Sequence, residues 1–133
     1  MPELYVSDYR KSLAFYVDIL GFAVEYTRTD PDFALLSFGT AQLMIQQQRE
    51  TDEHTGALEH PYGRCVNFQI EAVDVRALQQ KLTSNAYPLK QPLKEYRRKA
   101  GDVLVDEIEI HVLDPDGYFL RFSQVIGTKQ VEN

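Results

Sequence analysis

The sequence predicts an α+β protein built from two tandem βαβββ units whose strands form a curved mixed sheet, and three observations carry that reading. An order of strand, helix and three strands occurs twice along the 133 residues. A polar stretch without periodicity, about 49–63, separates the copies. In both copies several strand-like runs, among them 41–47, 65–70, 107–113 and 119–124, alternate between two kinds of face, as strands with one covered face do.

The first copy opens with a short strand over Glu3–Val6, after which Ser7 or Asp8 can accept hydrogen bonds from the free N–H groups of a helix start. Leu13, Phe15, Tyr16, Ile19 and Leu20 recur at helical spacing, and Gly21 supplies the stop. Three strands follow over Ala23–Arg28, Phe33–Phe38 and Ala41–Gln47, separated by Asp30-Pro31-Asp32 and Gly39-Thr40. Beyond the connection the pattern restarts. Residues 65–70 alternate as a strand, and Val73, Ala77, Leu78 and Leu82 give the stripe of a second helix ending near Asn85. Residues 88–96 carry a weak signal, whereas 107–113 and 119–124 are clear strands. Between these two, Asp114-Pro115-Asp116-Gly117 suits a type I turn, with proline second and glycine fourth. The expected organisation is one domain over 1–126, with units of about 1–48 and 64–126, and a tail over 127–133.

Composition narrows the function classes. Hydrophobic residues at 44% and charged residues at 26% describe an ordinary globular chain. A net charge of −6 disfavours a polyanion, so no nucleic-acid partner is expected. Cys65 is the sole cysteine, which excludes an intrachain disulfide and any multi-cysteine zinc site. The longest apolar stretch, 13–24, is interrupted by Asp18 and is shorter than the ~20 residues of a membrane span. No secretory signal is visible at the start, and a cytoplasmic protein is expected.

Side chains alternate across a strand, so each run divides into two faces. One is apolar: Leu43 and Ile45; Val66, Phe68 and Ile70; Ile108, Ile110 and Val112; Leu120 and Phe122. The opposite face carries Gln42, Met44 and Gln46; Cys65, Asn67 and Gln69; Glu107, Glu109 and His111; Phe119, Arg121 and Ser123. Two readings of this second face stand: a concave binding surface, or a wet sheet face.

The duplicated unit, with Ser7-Asp8 opening the first helix, Phe15-Tyr16 and Leu20-Gly21-Phe22 closing it, and Asp114-Pro115-Asp116-Gly117 before the last strand, resembles the vicinal oxygen chelate superfamily. That group includes glyoxalases, extradiol dioxygenases, and fosfomycin- and bleomycin-resistance proteins, and the resemblance spans about residues 2–124. It implies that each unit curls its sheet around a concave site. It also implies that metal-dependent members place His or Glu on the inner faces of the first and last strands of each unit. Those positions fall on about Met1, Met44, Cys65 and Arg121. A thioether pair, one thiol and a permanent cation do not form a usual ligand set for a divalent ion. The departure resembles the metal-free bleomycin-resistance branch, which implies a homodimer that sequesters an antibiotic or other organic ligand without chemistry and needs no cofactor. The alternative is a metal-dependent lyase, isomerase or dioxygenase with non-standard ligands.

The ligand-binding candidates are Tyr5, Met44, Cys65, Asn67, Tyr96, Glu107, Glu109, His111, Phe119 and Arg121. Tyr5, Tyr96 and Phe119 can stack on a planar ligand or close the core. Arg121 can orient an anionic or carbonyl group, and Glu107 or Glu109 a cationic one. Glu107, Glu109 and His111 can hold a cation or act as acid and base, and His111 with one of these carboxylates and His60 forms a displaced metal-site candidate. Cys65 reads as a reactive thiol beside Arg64 or Arg121, or as a quiet buried one. Lys94, Arg97, Arg98 and Lys99 around Tyr96 read as a phosphate-binding run or as a solvated edge.

Overall fold

The computed structural model describes residues 1–131. The first unit is β1 (Glu3–Val6), α1 (Tyr9–Ala14), β2 (Ala23–Arg28), β3 (Phe33–Phe38) and β4 (Ala41–Gln47). The second is β5 (Asn67–Glu71), α2 (Val75–Ser84), β6 (Gln91–Ala100), β7 (Val103–Leu113) and β8 (Phe119–Gln130). Each unit closes its own four-stranded mixed sheet, in the orders β1-β4-β3-β2 and β5-β8-β7-β6. The first and last strands of each pair in parallel and the rest antiparallel. Parallel pairing needs a crossover, which the helix and intervening strands supply.

The helix starts are built alike. Asp8 caps α1 in extended backbone and accepts from Lys11 N at 3.2 Å; Asp74 caps α2 and accepts from Ala77 N at 3.0 Å. Ser7, the other candidate cap, is drawn to Asp116 instead. The first helix continues past α1 as a π-helical turn over Phe15–Ile19, which local spacing does not distinguish from an α-helix. Val75, Leu78 and Leu82 form the buried stripe of α2. Val73, expected on that stripe, is 94% exposed because it precedes the cap.

The apolar sheet faces and both helices share one core. Phe22 and Phe38 of the first unit meet Phe122 of the second, with centroids 6.5 and 5.5 Å from it, and Phe15 stacks on Tyr87 at 4.5 Å. The Asp114–Gly117 turn is the second joint between units. Gly117 N donates to Asp114 O at 2.9 Å, closing the expected turn. Buried Asp116 accepts from Ser7 N at 2.9 Å and from Ser7 Oγ, and pairs with His60 Nε2 at 2.8 Å. Tyr16 OH donates to Asp114 at 2.8 Å, and Tyr118 OH to Tyr5 O at 2.7 Å. Gly117 has φ +96°, and a Cβ there would lie 2.6 Å from the Pro61 side chain, so glycine is required both for conformation and for room.

Three expectations are corrected in the second unit. Cys65 and Val66 lie before β5; Cys65 has φ +67° and is exposed, and Val66 is 51% exposed rather than part of the apolar face. The weak stretch 88–96 contributes to β6, a strand to Ala100. β8 runs to Gln130, so much of the expected tail is strand. Among the described residues, no helix is long and apolar enough to cross a membrane.

Candidate functional site

The inner face of the second sheet is assembled by register. Across the strands, Asn67 lies opposite Phe119, Gln69 opposite Arg121, Arg121 opposite His111, Ser123 opposite Glu109, Glu109 opposite Lys94, and Glu107 opposite Tyr96. With Arg98 two positions beyond Tyr96, alternation brings Asn67, Tyr96, Glu107, Glu109, His111, Phe119 and Arg121 onto one surface.

Glu109 is its centre and is fully buried beneath its own partners. His111 Nε2 meets Glu109 Oε1 at 2.9 Å, Arg121 Nε donates to the same oxygen, and Arg98 Nη1 donates to Oε2 at 3.1 Å. Burial alone would raise this carboxyl, but donation from Arg121, His111 and Arg98 outweighs it and holds the group down at about 2. Glu109 is therefore a fixed anion. The same contact, together with the Glu109 charge, pushes the Arg121 guanidinium up. Arg98 Nη1 also donates to Glu107 at 3.1 Å, and Arg121 Nη1 donates to Asn67 Oδ1 at 3.2 Å. The rings frame this network: Arg98 sits 4.4 Å from the Tyr96 centroid, and Phe119 tilts against His111 at 5.1 Å. Gln91 Nε2 donates to Tyr96 OH at 2.7 Å, fixing the phenol.

The first sheet's inner face differs. Glu3 and Tyr5, Met44 and Gln46, Phe33 and Leu35 share it by register. Phe33 and Leu35 are buried there, Arg28 lies 4.8 Å over Phe33, and Tyr5 meets His54 edge-on at 4.6 Å. Tyr5 and Met44 thus belong to a different surface from Arg121. Among the described residues, no hydrogen bond or ring contact links the two inner faces. A cavity of about 490 Å³ does open at the seam, lined by Met1, Pro2, Gln42, Asn67 and Gln69 among others. Asn67 belongs both to this cavity and to the Arg121 network. Cys65 instead lines a cavity of about 310 Å³ with Arg64, Lys90 and Phe119.

The positions that resemblance assigns to a metal shift in the structure. Met1 precedes β1, and Glu3 lies opposite Met44; Cys65 precedes β5, and Gln69 lies opposite Arg121. A carboxylate, a thioether, an amide and a guanidinium do not fit a divalent ion. The guanidinium offers no lone pair and brings its own charge. His60 is held by Asp116 while His111 is held by Glu109, so the displaced candidate is not brought together. Among the described residues, no group of three or more His, Cys, Asp or Glu is placed to hold a metal ion.

Sequence reasoning left Arg98, Lys94 and Gln69 out of the site. The available signal was pairwise: Lys94, Tyr96 and Arg98 alternate as Glu109 and Glu107 do on the next strand, so opposite charges meet across the ladder.

A family model described as Glyoxalase/Bleomycin resistance protein/Dioxygenase superfamily matches residues 1–122. Among solved structures, the chain is 33% identical to a glyoxalase/bleomycin resistance protein/dioxygenase superfamily member from Vibrio splendidus 12B01, covering 93% of this chain and 95% of that one, with a TM-score of 0.45. It is 19% identical to a virulence protein from Salmonella typhimurium, covering 94% of each, with a TM-score of 0.67. It is 17% identical to a lactoylglutathione lyase from Agrobacterium tumefaciens, covering 93% and 91%, with a TM-score of 0.61. No curated protein matches the chain.

Proposed function

Since the chain belongs to the glyoxalase/bleomycin resistance protein/dioxygenase superfamily, we propose that it is a binding protein. It takes an antibiotic or other small organic molecule on the inner face of its second sheet and sequesters it without a resident metal. The observation that carries this reading is Arg121. It occupies the last-strand position that metal-dependent members give to a ligand, and it is locked onto buried Glu109. A face already holding a fixed cation and amide groups recognises polar atoms of a ligand directly, with rings beside them for apolar contact.

The working form in this reading is a homodimer, in line with the exposed Val24 and Tyr26 on β2 and Val125 and Ile126 on β8. The alternative, a metal-dependent lyase, isomerase or dioxygenase, draws support from the contact between His111 and Glu109, because a carboxylate that orients an imidazole suits proton transfer.

Elemental analysis of the purified protein, combined with thermal shift in chelator against a panel of antibiotics and metabolites, separates the two. The binding reading expects no stoichiometric metal and a ligand that still stabilises the protein in chelator, by about 2.7 kcal/mol at a hundred times its dissociation constant. Stoichiometric Ni, Fe, Mn or Zn, with stability lost in chelator, overturns it.

A further inference from the structure

We propose that the second sheet's inner face selects an anion: a carboxylate, or an equivalent pair of adjacent oxygens, carried on a planar ring and held by Arg98 and Arg121. This rests on the small-molecule reading above and names the chemical class.

Sequence alone makes Glu107 and Glu109 attractive to a cation, and the geometry reverses that. Both Glu109 oxygens are spent on His111, Arg121 and Arg98, and the residue is fully buried. Glu107 shares Arg98 and has a side chain only 14% exposed. A carboxylate already donated to from several sides offers little to an incoming ammonium. The guanidiniums reach outward instead, with side chains 37% exposed at Arg98 and 21% at Arg121. They approach Glu109 from opposite neighbouring strands, β6 and β8. Arg98 makes its carboxylate contacts through Nη1, and Arg121 uses Nε and Nη1. Among the described residues, Nη2 of each lacks a protein acceptor. Two guanidiniums held at fixed separation on a buried anion are preorganised for a planar pair of oxygens.

The surroundings reinforce the sign. Lys94 lies opposite Glu109 in register, with its ammonium 5.1 Å from the Tyr96 centroid, and Lys90 lies 5.3 Å from that of Phe119. Two arginines on the carboxylates and two lysines over the neighbouring rings thus set four cations against Glu107 and Glu109 on this face. Even with Glu71 at the end of β5 counted, this face is positive in a protein whose net charge is −6. Tyr96 lies beside Arg98 and Phe119 beside His111, so a planar ring has an aromatic neighbour at either end of the network while its anionic group meets the guanidiniums.

Three probes on one frame test the assignment by calorimetry in chelator: 1-hydroxy-2-naphthoate, 1-hydroxy-2-naphthamide and 1-naphthylmethylammonium. The naphthoate should bind about tenfold or more tighter than the amide, weaken as salt rises, and bind more tightly than the ammonium. It should also shift the side-chain NMR signals of Arg98 and Arg121 in the unaltered protein. Arg98→Gln should lose about tenfold in naphthoate affinity, and it serves where Arg121→Gln leaves Glu109 short of donors and unfolds the sheet. Preference for the ammonium, equal binding of naphthoate and amide, or binding with both arginine signals unmoved overturns the anion assignment and leaves the small-molecule reading standing. Naphthoate binding that appears only after Mn²⁺ or Ni²⁺ is added overturns the metal-free reading itself. No binding by any probe overturns the inference.

Discussion

The two units share a topology and part company on one face. Both cap their helices with an aspartate in nearly the same extended backbone, and both pair their first and last strands in parallel. Both present alternate apolar side chains to the common core. Their inner faces differ: the first is thioether, amide and buried aromatic, and the second is an ion network around Glu109. The second unit's last three strands are also longer, at 10, 11 and 12 residues against 6, 6 and 7. The core-facing pattern is constrained twice over, because each unit packs against the other. The inner face answers to no such partner, so it is where duplicated halves are free to acquire different chemistry.

The sharpest way to break this comparison is Phe122→Ala. It removes the ring that meets Phe22 and Phe38, and should cost about 3–5 kcal/mol in urea denaturation. Unfolding should remain a single transition; two separated transitions would make the units independent. Next comes the contrast between inner faces. Glu109→Gln, which strips charge from beneath two arginines, should cost about 2–3 kcal/mol, whereas Met44→Leu on the first face should cost under about 1.5 kcal/mol.

Titration sharpens the same contrast. Glu109 is held at about 2 in the folded protein, so its stabilisation is present above the ordinary carboxylate range and drains away as pH falls from about 4.5 to about 2. Asp114 at the inter-unit turn runs the other way. Burial raises it to about 6 against the donations of Tyr16 and the Tyr118 and Asp116 amides. Its stabilising contribution is complete below about 4 and is lost as pH rises through about 6, an effect of about 3 kcal/mol. Stability measured against pH should have a shallower acid limb in Glu109→Gln and lose its slope between about 4 and 6 in Asp114→Asn. The smallest effects are the caps: Asp8→Ala and Asp74→Ala should each cost about 1 kcal/mol. A large inequality between them would show that one helix depends on its cap more than the other.

How legible this was in the sequence varied with how local the ordering forces are. β1 through β4 are bounded by turn residues written within a few positions of their ends, and their limits agree with the structure. β6 is polar on both faces and contains Pro92, so periodicity fails there. What orders it is pairing with β7, including Arg97 on Asp106 at 2.7 Å, a contact no window along the chain contains. The site followed the same rule. Glu107, Glu109 and His111 were visible as a stripe, but Arg98, which ties that stripe down, read as part of a solvated edge. The sign of the face therefore emerged only once the neighbouring strand was in place.

The connection after β4 is fastened at its far end. His60, the Tyr62 amide and the close approach of Pro61 to Gly117 all seat on the Asp114–Gly117 turn, and Tyr62 OH reaches back to Gln48 at 2.7 Å. New chain ends or an inserted peptide should thus be accommodated around Thr55 and Gly56, where the backbone is exposed and no such stitching exists. The same cut placed between His60 and Gly63 should strip those contacts from the turn and loosen the joint between the halves.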